Sequence, residues 1–308
     1  MSVTVPFNRE FEFEYGVAQE VAPGLRRVVA NNPSQFTFKG TNTYIVGSGS
    51  VAVIDPGPDD EAHRAAIVGA LAARRERITH IFLTHTHKDH SAGLARLAAI
   101  TGAEVLGYGA RAGITNATQL SPGAEPHLEA DFVPDRALKG GEIITGGDWA
   151  LEAVHTPGHA PDHICYALAD AQVTLTGDHI MGWNTSVVAP PEGNMGNYLR
   201  SLEKLVQRPE DTFFPAHGGR VDQGRRLARI FITHRKWRES QILGCLRQGL
   251  DTIDLIVPRI YEGLASSLLV AASYSVLAHL ELLTENGSVK CQDRATLTCR
   301  YWIAADAP

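Results

Sequence analysis

Residues 78–93 read Ile-Thr-His-Ile-Phe-Leu-Thr-His-Thr-His-Lys-Asp-His-Ser-Ala-Gly. The first seven are short, apolar and β-branched, the profile of a strand buried on both faces. The strand then gives way to four potential ligands within six residues: His85, His87, Asp89 and His90. On a loop at a strand's end such side chains can converge on one point. A helix would spread them by about 100° per residue. Imidazoles and carboxylates together suit zinc and similar borderline cations. The bland alternative is a polar loop that happens to be rich in histidine.

Working outward, residues 43–55 (TYIVGSGSVAVID) predict a hairpin, two β-branched runs around a Gly/Ser turn. Residues 60–75 predict a helix with an Arg-rich last turn. After the ligand cluster, AGLARLAAITG reads as a helix closed by Gly102, and EVLGYG as another strand. Residues 110–140 are rich in Pro, Gly and Asp and read as loop and edge structure. The second half repeats this grammar. Strands are expected on either side of the Gly146-Gly147 turn and of a turn at Asp170. A long loop follows at 184–197, then a helix over 198–208 and a strand in DTFFPAHGG (211–219). Alternating strands and helices to about residue 220 predict an α/β domain. Beyond it, three helical stretches (222–248, 253–263 capped by Thr252, and one capped by Ser266 or Ser267 and ending at Gly287) precede two short strands around Asp293-Arg294. Three helices and a ribbon make a winged-helix pattern. The expected division is 1–220 and 221–308.

Three further ligand candidates occupy similar places. His159 sits in Thr-Pro-Gly-His, Asp178 in Leu-Thr-Gly-Asp and His217 in Phe-Pro-Ala-His-Gly, each just past a β run. Ends of neighbouring strands lie along one edge of a sheet, so all seven residues are candidates for one site.

The motif HxHxDH with a later His, Asp and His resembles the metallo-β-lactamase superfamily over about residues 25–220. That resemblance implies an αββα sandwich of two similar halves. It implies a first metal on His85, His87 and His159, a second on Asp89, His90 and His217, and Asp178 bridging both. The implied cofactors are two Zn2+ ions, with Mn2+ or Fe as alternatives. The implied chemistry is a metal-bridging hydroxide acting on an ester-like bond, with Asp89 orienting its proton. A narrower likeness lies in Phe38-Lys-Gly-Thr-Asn-Thr-Tyr, Ile54-Asp-Pro-Gly, TPGHAPDH and the His234-Arg235 pair. These resemble the β-lactamase-like group of single-strand endoribonucleases and polyketide-releasing thioesterases. The implied substrate is therefore single-stranded RNA or an acyl thioester, and the metal motif does not separate the two. The group's double glycine after Asp-His is Ala92-Gly93 here.

Other residues carry two readings each. Asp55 either braces a ligand histidine or is a turn residue in Asp-Pro-Gly. Thr41 and Asn42 line the cleft or belong to a turn. His163 donates to a substrate oxyanion, and is carried as a catalytic candidate with Asp89, or is a satisfied core histidine; Asp162 stands beside it. His234, Arg235 and Lys236 meet an anionic substrate or form a solvated helix face. Trp183 and Tyr198 flank the 184–197 loop and are expected to shape the cleft. Structural roles are expected for His63, His80, His127, His155, His179 and His279.

Bulk properties narrow the classes. The chain has 308 residues, 44% hydrophobic and 20% charged, with net charge −6, so nothing global points to nucleic acid or an anionic membrane. The charge is uneven: residues 220–308 hold 12 Lys/Arg against 9 Asp/Glu, leaving 16 against 25 in the first 219. Cysteines 165, 245, 291 and 299 lack metal-binding spacing and read as small buried side chains. The start of the sequence carries no secretory pattern, and the 264–280 stretch reads as a buried helix rather than a span. A cytoplasmic location, no membrane partner, and a module that packs on the catalytic domain or supports a homo-oligomer are the expectations. The rival class is a metal-stabilised nucleic-acid-binding or interaction protein. Residues 265–286 contain no Lys or Arg, so sequence-specific DNA recognition by the winged helix is not expected. The basic cluster at 220–238 could still track RNA.

Overall fold

The computed structural model describes residues 3–109, 132–168 and 170–305. Most of the 110–140 stretch, with His127, lies outside these residues. Strands β1 (Gln19–Ala22), β2 (Leu25–Val29), β3 (Asn42–Val46) and β4 (Ser50–Ile54) form an antiparallel meander. Helix α1 (Glu61–Ala72) crosses to β5 (Arg77–Phe82), parallel to β4. Its Asp60 side chain caps it by accepting from the Ala62 amide, and the expected Arg-rich last turn falls just past its end. The ligand cluster departs from expectation here. Residues Lys88–Ser91 are a one-turn helix, α2, with His87 at its N-cap. One turn is too short to scatter Asp89 and His90 round a cylinder. Helix α3 (Leu94–Thr101), closed by Gly102 at φ 66°, leads to β6 (Glu104–Tyr108) and the edge strand β7 (Arg136–Leu138). The first sheet runs in sequence order from β1 to β7.

Strands β8 (Ile143–Gly146), β9 (Trp149–His155), β10 (Ile164–Leu168) and β11 (Val173–Gly177) make a second meander. Helix α4 (Met195–Gln207) begins three residues earlier than the pattern predicts, because Asn194 caps it by accepting from the Asn197 amide. It returns the chain to β12 (Thr212–Pro215), parallel to β11, for a five-stranded order β12-β11-β10-β9-β8.

Two sheets face each other over one core containing Leu25, Ile54, Phe82, Leu151, Tyr166 and Phe214. Full burial of each such side chain contributes about 1.5–3 kcal/mol. The outer face of the first sheet is covered by α1 and α3 through Ile67, Leu71, Leu94 and Leu97. The outer face of the second is covered by α4 and the first half of α5 (Gly224–Arg247). This is the αββα arrangement.

The second half of α5 packs Ile242, Cys245 and Leu246 against α6 (Ile253–Ile260) and α7 (Leu269–Glu285). Helix α6 stops short of 263, and Thr252 holds its N-cap position without a side-chain bond. Ser266 and Ser267 do not cap α7 but lie in the 3-10 turn before it. The ribbon pairs β13 (Val289–Cys291) with β14 (Tyr301–Ile303) across a nine-residue connection, longer than a turn at Asp293-Arg294. The Ser266–Glu285 stretch has the length and mean hydropathy, 1.4, of a membrane span. Its Val276, Leu277, Leu280 and Leu283 are buried in this core, which accounts for the apolar run. Cys165 and Cys245 are buried; Cys291 and Cys299 are only half-buried, because they flank the ribbon's long connection.

Candidate metal centre

The site lies where strand ends meet. Asp55 follows β4, His85 follows β5, His159 follows β9, Asp178 follows β11 and His217 follows β12. The two sheets are tied together at this edge. Ile164 donates its amide to Thr84 O at 2.7 Å, and Asn42 donates its amide to Ala216 O at 2.7 Å. Two buried tyrosines do the same from the core: Tyr166 Oη donates to Leu83 O at 2.6 Å and Tyr44 Oη to Pro215 O at 2.7 Å. Such bonds fix the register of one half against the other, and so the spacing of the site.

All seven predicted ligand candidates come together. Three groups place one donor atom per residue within 4.8 Å of one another: His85, His87 and His159; His85, His90 and Asp178; Asp89, His90 and His217. The proton positions follow from the outer hydrogen bonds. His159 Nδ1 lies 2.6 Å from Val187 O and His217 Nδ1 3.2 Å from Gly40 O. Carbonyls only accept, so both Nδ1 atoms carry a proton and Nε2 is the inward atom of each ring. His90 Nδ1 donates to Asp55 Oδ2 at 3.0 Å, and His87 Nε2 to Glu192 Oε2 at 3.2 Å. Thr84 Oγ1 donates to Asp55 Oδ2 at 2.7 Å and so accepts from His85 Nδ1 at 3.0 Å.

Around His85, His87 and His159 the inward nitrogens are then lone pairs. His87 Nδ1 faces His85 Nε2 at 2.8 Å and His159 Nε2 at 3.0 Å. His217 Nε2 faces Asp89 Oδ2 and Asp178 Oδ1, both at 3.2 Å. His90 Nε2 and Asp178 Oδ1 are buried without a hydrogen-bond partner among the described residues. Converging acceptors repel unless a cation lies between them, so the donor set fits divalent metal.

The charges divide the cluster in two. Burial, then the neighbouring rings, hold His85 well below its usual pKa; burial and His87 bring His159 down to about 4. These rings stay neutral lone-pair donors. Burial opposes ionisation of Asp89 and Asp178, but His90 and His217 outweigh it and hold both well below the usual carboxylate range. Conversely, burial lowers His90 and His217, yet the facing carboxylates lift His90 well above and His217 to about 9. The second group is therefore a set of carboxylates and charged rings paired with one another. Its Asp89 is 29% exposed, so this carboxylate opens toward solvent.

The bracing residues show what the motif alone left open. Asp55, at φ 52°, accepts from the Thr84 amide (2.7 Å), the Thr84 hydroxyl and His90. It is both a strand-end turn residue and a brace. Asp162 accepts from the Thr86 amide and hydroxyl, fixing the segment between His85 and His87. Asn42 is buried and donates to Pro215 O and Gly218 O, each at 2.9 Å. It pins the His217 turn rather than lining a cleft. Thr41 is likewise buried, bridged to His217.

His163 is a correction. It is fully buried, its Nδ1 donates to Thr156 Oγ1 at 2.9 Å, and its Nε2 accepts from the Asp178 amide at 3.2 Å. With both nitrogens committed beneath the site it cannot donate to a substrate; it orients Asp178. Gly177 permits this, because at φ 50° a Cβ there would meet His163 Nε2 at 2.5 Å. Tyr198 is also buried, donating to His179 O at 2.9 Å, and does not face the cleft. The 184–197 loop reaches the site instead through the Val187 carbonyl and Glu192. Glu192 was missed in the sequence, although it is the only charged residue in that loop. The remaining histidines sit elsewhere: His63 on Thr43, His80 on Thr79 and His155 stacked on Tyr108.

Comparison with known proteins agrees with this geometry. The family profile of the Metallo-beta-lactamase superfamily matches residues 36–217, and that of the Beta-lactamase associated winged helix domain matches 252–298. The Drosophila melanogaster protein named "Beta-lactamase-like protein 2 homolog" is 32% identical over 275 residues, covering 87% of this chain and 90% of that one. The "Atrochrysone carboxyl ACP thioesterase" of Claviceps purpurea is 29% identical over 256 residues, covering 79% and 74%. The crystal structure of a metallo-beta-lactamase family protein from Thermus thermophilus superposes with a TM-score of 0.73 at 23% identity, covering 92% of this chain and all of that one. Its likeness speaks for the fold. The chain belongs to the metallo-beta-lactamase superfamily of hydrolases and carries that superfamily's associated winged helix domain.

Proposed function

We propose that the protein is a metal-dependent hydrolase of acyl thioesters. The observation that carries the metal requirement is the convergence of three bare ring nitrogens, on His85, His87 and His159, at 2.8 and 3.0 Å. In this reading these three hold one divalent cation, Asp89, His90 and His217 hold another, and Asp178 faces both. Zinc suits the mixed imidazole and carboxylate donors, and manganese or iron is compatible with them. Cations bound there supply Lewis acidity, lowering the pKa of water toward neutrality and polarising the attacked carbonyl. The chain's own residues orient the centre: Asp55, Glu192, Thr84 and the carbonyls of Val187 and Gly40 fix each ring's tautomer. Asp89, the solvent-facing carboxylate, both holds metal and orients the proton of the attacking water.

Two observations favour a thioester over RNA. The Claviceps purpurea relative is named as a thioesterase. The basic cluster at 220–238 is partly withdrawn from solvent: Arg235 and Arg238 are buried, and Arg220 and Arg225 pair at the surface with Asp222 and Asp211, leaving Arg226, Arg229 and Lys236 as its other exposed cations. The test is hydrolysis of an acyl thioester and a single-stranded RNA by metal-loaded protein, with metal content measured alongside. About two metal ions per chain and thioester turnover that disappears in His87→Ala are expected. RNA cleavage without thioester cleavage, or full turnover in the His87→Ala variant, would refute the reading.

A further inference from the structure

A groove of about 280 Å3 separates the 181–187 segment of the sandwich from the C-terminal helices. Its lining is apolar at Phe36, Trp183, Leu264, Leu268 and Ala271 and polar at His234, Arg235 and Arg238. Both arginines are buried, at 3% and 7% exposure. Arg235 donates to Ser186 O at 2.5 Å and lies over the Tyr198 ring at 5.3 Å. Arg238 donates to Ile260 O at 3.0 Å and to Gln241 Oε1 at 2.7 Å, and stacks on Tyr261 at 4.1 Å. The Nε atom of each, together with Trp183 Nε1 and His234 Nδ1, has no hydrogen-bond partner among the described residues. Glu239, the only acid on α5, faces His279 at 3.6 Å instead. Two buried cations without a counterion oppose folding, and apolar side chains would dock α5 at least as well. Their retention points to an anion that arrives from outside.

The groove adjoins the candidate centre. Ser186, which Arg235 holds, precedes Val187, whose carbonyl holds His159. Phe36 lies in the segment leading to Gly40, whose carbonyl holds His217. The sandwich side of the groove therefore includes segments that fix two of the metal-facing rings. Its volume is at the small end for ligand pockets, enough for a compact acyl group.

We propose that this groove is the acyl subsite and that its ligand carries a carboxylate, met by Arg235 and Arg238, with a planar apolar body against Trp183 and Phe36. This deepens the thioesterase reading and rests on it. The guanidinium fork matches a carboxylate, and a charge-assisted bond strengthens in a low-dielectric groove. A nucleic-acid track would instead present its cations to solvent.

The test is calorimetric binding of 2-naphthoate and of its neutral isostere 2-naphthamide to the metal-loaded full chain. Naphthoate is expected to bind about tenfold or more tightly than the amide. Arg238→Gln is expected to erase most of that ratio. Ala271→Trp, which fills the groove from α7, is expected to abolish binding of both while metal content stays at the wild-type level. Since Arg238 also docks α5, each variant is checked by thermal melting; Leu268→Trp, three residues before Ala271, replaces Ala271→Trp if that variant does not fold, and Arg238→Lys, which keeps the charge without the fork, replaces Arg238→Gln. Equal affinity for the two probes would overturn the proposal. So would naphthoate binding indifferent to both the Arg238 and the groove-filling variants, as expected of a carboxylate sitting on the metal. Displacement of naphthoate by a uridine oligonucleotide whose own binding falls in Arg238→Gln would overturn it in favour of nucleic acid. Because binding is read rather than turnover, the outcome stands even if no thioester is hydrolysed.

Discussion

Replacing Asp55 with Asn should remove one metal and spare the other. The Asp55 carboxylate accepts three bonds: from the Thr84 amide, the Thr84 hydroxyl and His90 Nδ1, at 2.7, 2.7 and 3.0 Å. An asparagine oxygen can still take the amide, but its NH2 then points at two donors. Thr84 Oγ1 cannot simply reverse, because it already accepts from His85 and its own proton would have no acceptor. His90 can reverse by moving its proton from Nδ1 to Nε2. That proton then occupies the lone pair directed at Asp89 and Asp178, 3.3 and 3.6 Å away. Loss of such an outer partner typically costs about 10–100-fold in metal affinity, or about 1.4–2.7 kcal/mol. His87 and His159 do not touch Asp55, and the first group keeps its three bare nitrogens. The assay is chelator-competition titration followed by metal analysis at limiting free metal. Wild type should hold about two ions per chain and Asp55→Asn about one. Unchanged affinity at both sites, or equal weakening of both, would falsify the tautomer argument.

Glu192→Ala should show the mirror effect. Freed of its acceptor, His87 should hold the first ion about tenfold more weakly, whereas Glu192→Gln, which still offers an oxygen, should stay near wild type; the same titration decides. Gly158→Ala should lower stability by about 3 kcal/mol in chemical denaturation, because at φ 147° its Cβ would meet the Tyr198 backbone at 2.3 Å; a variant as stable as wild type would contradict that packing. His63 supplies a pH dependence remote from the metal. Burial pushes its pKa down to about 4 from 6.5, and its Nε2 bonds Thr43 Oγ1 at 2.7 Å. Between those values the unfolded chain binds the extra proton, so stability is full above pH 6.5 and falls by about 3 kcal/mol as pH drops to 4. His63→Gln lacks that slope, so its stability deficit relative to wild type should narrow on acidification; a constant gap across pH 4–7 would rule the linkage out.

The sequence by itself determined more of the site than is usual. An apolar β-branched run followed at once by His-x-His-x-Asp-His reads as a buried strand ending in a ligand cluster. Three more strand-end ligands pointed to one sheet edge, and the family resemblance implied the two-sheet sandwich. Local signals such as Gly102 closing α3 were legible because a left-handed residue is a local demand. What tertiary structure alone decided were relations between segments far apart in the chain. Whether His163 faces a substrate or Asp178 depended on the pairing of β10 with β11, which sets the start of one beside the end of the other, and both readings were locally identical. Of the five ligand rings, only His85 is oriented by a chain neighbour, Thr84; the other four depend on partners 28, 35, 105 and 177 residues away: Val187, Asp55, Glu192 and Gly40. The two arginines on α5 read as an exposed basic cluster, since charge normally seeks water. Their burial against Tyr198 and Tyr261 follows from the docking of α5 between two cores. Strand and ligand identity are properties of short stretches, governed by periodicity and side-chain chemistry; orientation, burial and protonation belong to the contacts that only the folded chain creates.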